Sequence, residues 1–314
     1  MSKNPFGKHG WTLERIPDIA GKVYVITGGN SGLGFEAAQV LASKGAKVVI
    51  LCRNEKKAMA AVSAIKHNTG SQSDISYRLM DLASLENVRT AANSLRAELP
   101  EIHGLICNAG LMMLPKRELT VDGFEMQAGV NHFGHFLFSS ILLENVERAR
   151  GRFVILSSVA HQWGLKRIKF DDINFDKQYS PTKSYGQSKL ANMLFVNELQ
   201  RRLGAAGKNI NAFVCHPGYA ATNLQTTGPG ILSGMVMTVT NTLLAHSALH
   251  GAKSILLTAT DPDAKPATFY GPTKIGNMRG AIGECSVDRC GLDMEAASRL
   301  WELSEKLTGS NWPV

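Results

Sequence analysis

The sequence predicts an α/β fold in which one parallel sheet is doubly wound, with helices on both faces. Three observations carry that expectation. Short β-branched runs alternate along the chain with longer amphipathic stretches. Several of the short runs, such as Val48, Val49, Ile50 and Leu51, are apolar throughout, as strands covered on both faces require. A glycine cluster joins the first run to the first amphipathic stretch.

Taken in order, the first strand spans 23–27 and reads Val-Tyr-Val-Ile-Thr; a helix over 32–44 follows the glycines. The second strand, 47–51, precedes a helix over 55–68, and the third, 75–79, precedes one over 84–98. A fourth strand at 104–107 leads into a long helix over 123–145, and a fifth at 152–156 into a helix over 185–203. A sixth strand follows at 210–215, and a short last one at 267–270. Strand–helix alternation implies right-handed crossovers and hence parallel neighbours. Two segments break the rhythm: 160–183, rich in Lys and Asp, and 218–250, which turns apolar. Both follow the carboxyl ends of strands, where α/β sheets bind ligands.

Composition bounds the function. Of 314 residues 44% are hydrophobic and 19% charged, so a large core is available and global disorder is excluded. The net charge of +8 comes without a basic run interleaved with aromatics, which argues against nucleic acid and for a phosphate-bearing small molecule as anionic partner. Cys52, Cys107, Cys215, Cys285 and Cys290 show no C-x-x-C pairing, and H-E-x-x-H is absent, so no metal site is expected. Residues 1–22 carry no apolar signal-peptide core, and the apolar stretch 230–245 is interrupted by Ser233, Thr238, Thr240, Asn241 and Thr242. No integral membrane segment is expected, and the default location is the cytoplasm.

Two motifs carry chemistry. Thr27-Gly28-Gly29-Asn30-Ser31-Gly32-Leu33-Gly34 sits between the first strand and the first helix. Glycines there permit a tight turn and let a diphosphate approach the free N–H groups of the helix. Tyr185 and Lys189 lie four apart on one helical face. A phenol beside an ammonium can act as general acid toward a carbonyl oxygen. At the end of the second strand the chain reads Leu51-Cys52-Arg53-Asn54, with no carboxylate for a ribose 2′-hydroxyl and a guanidinium suited to a 2′-phosphate. NADP(H) is the expected cofactor.

With these residues in place the chain resembles the short-chain dehydrogenases/reductases over nearly its whole length. The motifs run in the family's order: the glycine loop, Asp81-Leu82, Asn108-Ala109-Gly110, Asn131, Ser157-Ser158, Tyr185-x-x-x-Lys189 and Pro217-Gly218. Val130-Asn131-His132-Phe133-Gly134-His135-Phe136 and Ser188-Lys189-Leu190-Ala191-Asn192 are similar to the retinol-dehydrogenase-like and WW-domain-oxidoreductase-like branch, as is the long insert 160–184.

The resemblance implies one Rossmann-type domain over 1–314, with an N-terminal extension (1–20) and a C-terminal extension (272–314). Gly228, Gly230 and Gly234 among apolar residues make 222–246 the expected substrate lid, with a helix packed permanently on the body as the alternative. It implies Tyr185 as acid/base, Lys189 as its modulator and a holder of the nicotinamide ribose, and Ser158, rather than Ser157, on the substrate oxygen. Asn131 would hold a relay water, with a purely structural role on the helix compatible with that. Gly28, Asn30, Ser31, Gly32, Leu33, Gly34, Arg53, Asp81, Leu82, Asn108, Ala109, Gly110, Pro217, Gly218 and Thr222 would contact the dinucleotide. Tyr219, Ala220 and Ala221 depart from the usual wording of the last segment, while Thr222 keeps its place.

The implied activity is hydride transfer between NADP(H) and a carbonyl or alcohol of a lipophilic small molecule. Met112, Met113, Met235 and Met237 read as core residues that would also suit the wall of such a pocket. His132 and His135 read as packing or hydrogen-bonding residues. A non-catalytic NADP-binding regulator and a nucleotide-sugar epimerase or dehydratase are the alternatives. The intact Asn131, Ser158, Tyr185 and Lys189 argue against the first, and the short chain against the second. Substrate identity stays open, as does assembly, with a homo-oligomer among the options.

Overall fold

The computed structural model describes residues 4–218 and 247–314. Strands β1 (Val23–Thr27), β2 (Lys47–Cys52), β3 (Ile75–Leu79), β4 (Gly104–Cys107), β5 (Arg152–Leu156), β6 (Asn211–Cys215), β7 (Phe269–Lys274) and β8 (Arg279–Glu284) form one sheet in the order β3-β2-β1-β4-β5-β6-β7-β8. All neighbours from β3 to β7 are parallel; β8 pairs antiparallel with β7. The strand order reverses beside β1, and such a reversal opens a crevice at the carboxyl ends of the strands.

Both faces of the sheet are buried. Val49 and Leu51 of β2 enter one core, and Val48 and Ile50 enter the other, as the strand's period of two dictates. Helices α1 (Gly32–Ser43) and α2 (Glu55–Thr69) cover the second core, through Leu41 and Ile65. Helix α3 (Leu85–Glu98) packs Val88 and Leu95 on the first. Ser84 caps α3 and Asn54 caps α2; each side chain accepts an otherwise orphaned backbone N–H.

The long helix expected over 123–145 is instead built in pieces: α4 (Met126–Ala128), a π-helical turn (Gly129–Phe133), α5 (Gly134–Ile141) and α6 (Leu143–Arg148). The next helix, α7 (Pro181–Ala205), starts four residues before the expected one, because Ser180 caps it and Pro181 occupies its first position.

The carboxyl-terminal part departs most from expectation. The last strand runs over Phe269–Lys274 rather than 267–270, and β8 adds an antiparallel edge to a sheet read as wholly parallel. Two helices had no counterpart in the sequence pattern. Helix α8 (Ala248–Thr260) buries Ile255, Leu256 and Leu257 in the second core, and α9 (Met294–Thr308) buries Trp301 in the first. The N-terminal extension is tied down: Trp11 is buried, its Nε1 donates to Asp261 (2.7 Å), and Arg15 pairs with the same carboxylate (2.8 Å). No helix among the described residues is long and apolar enough to cross a membrane. Thr222, the lid expected over 222–246, Met235 and Met237 lie outside the described residues.

Candidate active site

A cleft of about 570 Å³ opens at the carboxyl ends of the strands. Gly28, Asn30, Ser31, Gly32 and Leu33 line one side of it. Gly28 has φ +68°, and a Cβ there would lie 3.0 Å from the Ala109 Cα, so only glycine lets the turn after β1 pass the turn after β4. Ser31 caps α1 without a side-chain hydrogen bond, and the first turn of α1 holds no acidic residue. The free N–H groups of α1 therefore face the cleft uncontested, which suits a diphosphate. Gly34 does not line the cleft. A Cβ on it would stand 2.5 Å from the Asn108 Nδ2 and from the Gly28 carbonyl oxygen, so this glycine seats α1 against the turn.

Thr27 and Asn108 join the two turns. The Thr27 hydroxyl accepts the backbone N–H of Asn108 and of Ala109, each at 3.0 Å, and the Asn108 side chain donates to the Thr27 carbonyl at 2.8 Å. Asn108, Ala109 and Gly110 line the cleft with Asp81 and Leu82. The Asp81 carboxylate accepts from the Ala83 N–H (2.9 Å), which orients it at the end of β3. Arg53 is exposed on the rim at the end of β2 and makes no ion pair among the described residues.

Tyr185, Lys189 and Ser158 converge where β5 meets α7. Tyr185 is 5% exposed and Lys189 2%, one helical turn apart, with the ammonium 5.8 Å from the centre of the phenol ring. The Lys189 Nζ donates to the Leu156 carbonyl (3.1 Å), and Asn192 donates to the same oxygen (3.0 Å). Burial pushes the phenol up to about 12, opposed by a hydrogen bond with Ser158. Burial likewise pulls Lys189 down to about 8. Desolvation is therefore the dominant influence on both groups.

The two serines separate cleanly. The Ser157 hydroxyl donates to the Lys189 carbonyl (2.7 Å), so it ties β5 to α7. Ser158 caps the short turn Val159–Gln162 and faces Tyr185. Asn131 lies behind the cleft wall in the π-helical turn. Its side chain accepts from the Leu111 N–H (2.7 Å) and donates to the Leu111 carbonyl (3.0 Å) and the Ser188 hydroxyl (2.9 Å). That is the structural role on the helix that the sequence left open. Pro217 and Gly218 line the cleft beyond β6.

These features have counterparts in known proteins. A short chain dehydrogenase family model matches residues 22–170. Retinol dehydrogenase 12 of Mus musculus is 38% identical over 295 residues, 94% of this chain and 88% of that protein. The chain belongs to the short-chain dehydrogenase/reductase family. Its branch is the retinol-dehydrogenase-like one: retinol dehydrogenase 13 of Homo sapiens is 35% identical over 94% of this chain and 87% of its own length. A crystal structure of an uncharacterized protein from Mycobacterium paratuberculosis superimposes with a TM-score of 0.80 at 38% identity, covering 97% of this chain and 100% of that one. As a short-chain dehydrogenase the protein is an oxidoreductase that works with a nicotinamide dinucleotide on a small molecule.

Several residues of this dehydrogenase's cleft escaped the sequence reading. Met80, Leu111, Val159, Trp163 and Met278 line it beside Met112 and Met113. Met278 arrives on the β7–β8 hairpin, whose one available signal was the Gly276-Asn277 turn pair. His132 contacts the Ser304 hydroxyl (2.9 Å) and His135 the Thr27 hydroxyl (2.8 Å), so the two rings serve separate partners. Among the described residues no group of three or more His, Cys, Asp or Glu is placed to hold a metal.

Proposed function

We propose that the protein is an NADP(H)-dependent oxidoreductase that interconverts a carbonyl and an alcohol on a lipophilic molecule. The observation that carries this reading is one continuous cleft with the α1 turn and Arg53 at one end and Tyr185, Ser158 and Lys189 at the other. A bound nicotinamide supplies or accepts the hydride. Every other task falls to the chain's own residues.

Gly28, Asn30, Ser31, Gly32 and Leu33 would hold the diphosphate at the N-terminus of α1, and Asp81, Leu82 and Asn108 to Gly110 the adenosine. Arg53 would pair with the 2′-phosphate, as the end of β2, Leu51-Cys52-Arg53-Asn54, carries no carboxylate to favour a free 2′-hydroxyl. Pro217, Gly218 and Thr222 would meet the nicotinamide end. Tyr185 would donate its proton to the carbonyl oxygen in reduction and take it back in oxidation. A phenol held at about 12 is fully protonated at neutral pH, the form reduction needs. Ser158 would hold the same oxygen, and the Lys189 ammonium would stabilise the phenolate left behind. Asn131 would keep Leu111 and Ser188 in place behind them.

Apolar Leu111, Met112, Met113, Val159, Trp163 and Met278 favour a lipophilic substrate. The relatives' names support this, since retinol is itself a lipophilic alcohol. Five unpaired thiols suit a reducing compartment such as the cytoplasm. A panel of short and long aldehydes, ketones and alcohols, assayed with NADPH or NADP⁺ by nicotinamide absorbance, tests the reading. Turnover should rise with apolar chain length; turnover of polar substrates alone would contradict it.

A further inference from the structure

His135 lies outside the cleft, 1% exposed, yet it joins the π-helical turn to Thr27 at the end of β1. It belongs to α5, directly after the π-helical turn and four residues beyond Asn131. Its Nδ1 stands 3.2 Å from the Asn131 carbonyl oxygen, and its Nε2 stands 2.8 Å from the Thr27 hydroxyl.

The chemistry of the partners fixes the direction of each bond. A carbonyl oxygen can only accept, so the ring hydrogen sits on Nδ1. Nε2 is then an acceptor, and the Thr27 hydroxyl donates to it. With its hydrogen committed there, the Thr27 oxygen turns its lone pairs to the N–H groups of Asn108 and Ala109, each 3.0 Å away. The Ile106 carbonyl, at 3.5 Å, is a longer alternative for that hydroxyl hydrogen. The result is a one-way chain of hydrogen bonds in which each group donates to the next, from the N–H groups of the cleft floor to the carbonyl of the π-helical turn. Burial keeps the ring neutral, pulling it down to about 3, so its second hydrogen never competes for Thr27.

We propose that His135 is a positioning residue that orients Thr27, and through it the Asn108–Ala109 turn, for binding the dinucleotide. This rests on the reading of the cleft as a nicotinamide dinucleotide site. His135 contacts neither Tyr185, Ser158 nor Lys189 by any hydrogen bond in the structure, so its effect should fall on cofactor affinity rather than on turnover.

A double-mutant cycle tests this. His135→Asn keeps a donor at the Nδ1 position for the Asn131 carbonyl but is too short to reach Thr27. Thr27→Val removes the hydroxyl at nearly constant shape. NADPH dissociation constants come from nicotinamide fluorescence titration, which needs no turnover, and thermal midpoints are recorded alongside. Each single variant should weaken NADPH about tenfold, and the double variant little more than either, because both break one chain. Thr27→Ser should restore near-normal affinity, and kcat at saturating NADPH should stay within about threefold of the wild type in His135→Asn.

Losses that multiply in the double variant, or an unchanged affinity in His135→Asn, would overturn the inference. If His135→Asn does not fold, His135→Gln in the same cycle, which offers both a donor and an acceptor, should bind NADPH within about threefold of the wild type; a tenfold loss there would count against it. A wild-type protein that binds neither NADPH nor NADH would instead overturn the reading of the cleft, and the inference with it.

Discussion

Arg53 is where cofactor choice should be decided, and Arg53→Ala isolates it. The guanidinium stands on the exposed rim of the cleft without an ion-pair partner among the described residues. A hydrogen bond between charged groups contributes about 1.5–3 kcal/mol, the upper end belonging to sheltered pairs. An exposed rim position places Arg53 at the lower end, about 1.5 kcal/mol, or roughly a tenfold loss of NADPH affinity. NADH lacks the 2′-phosphate and should be little affected. Salt provides an internal check: the Debye length shrinks from about 10 Å at 0.1 M to about 3 Å at 1 M. The wild type's preference for NADPH should therefore narrow at high salt, and that of Arg53→Ala should hardly move. Fluorescence titration of both cofactors at two salt concentrations measures all of this. An equal loss for NADPH and NADH, or a wild type that binds NADH as tightly as NADPH, would refute the assignment.

The remaining predictions concern the serine pair and acid stability. Ser158→Ala should cut turnover by about 10²-fold or more if Tyr185, which the hydroxyl faces, is the acid/base as proposed. Ser157→Ala should leave turnover within a few-fold and lower stability by about 1 kcal/mol, having lost a buried bond to the Lys189 carbonyl; steady-state kinetics and urea unfolding of the two variants would expose a swapped assignment. Burial holds His132 down to about 4, and His135 and His216 down to about 3. Unfolded imidazoles titrate near 6.5, so between these values the unfolded chain binds more protons. Stability should be complete above about pH 6.5 and fall as the pH drops, each buried ring costing about 2 kcal/mol by pH 5. Urea midpoints that stay flat from pH 7.5 to 5 would contradict that burial.

The sequence and the structure agree most closely where the chain's signal is local. Val23–Thr27, Ile75–Leu79, Gly104–Cys107 and Arg152–Leu156 are strands with the bounds expected from their apolar and β-branched runs. The glycine turn and the Tyr185–Lys189 spacing could likewise be read from a few adjacent residues. What could not be read depends on distant partners. The break in the helix over 123–145 is stabilised by Asn131 reaching Leu111 and by His135 reaching Thr27, contacts that no periodicity encodes. Strand β8 is Gly-rich, with Ile282 its one residue in a hydrophobic core, so its pairing comes from β7 rather than from its own pattern. Ser157 and Ser158 are indistinguishable as neighbours in sequence. Only the alternation of the strand end sends one hydroxyl to the Lys189 backbone carbonyl and the other to the Tyr185 side chain.

Tyr185→Phe tests the central claim most directly, because it removes one oxygen and its proton from a buried ring and leaves the rest of the cleft in place. NADPH affinity, measured by titration, should stay within a few-fold of the wild type. Turnover of the best aldehyde found in the substrate panel should fall by about 10²–10⁴-fold, the range associated with losing a general acid. A pure, folded Tyr185→Phe protein that binds NADPH and reduces that aldehyde at a near-normal rate would contradict the account.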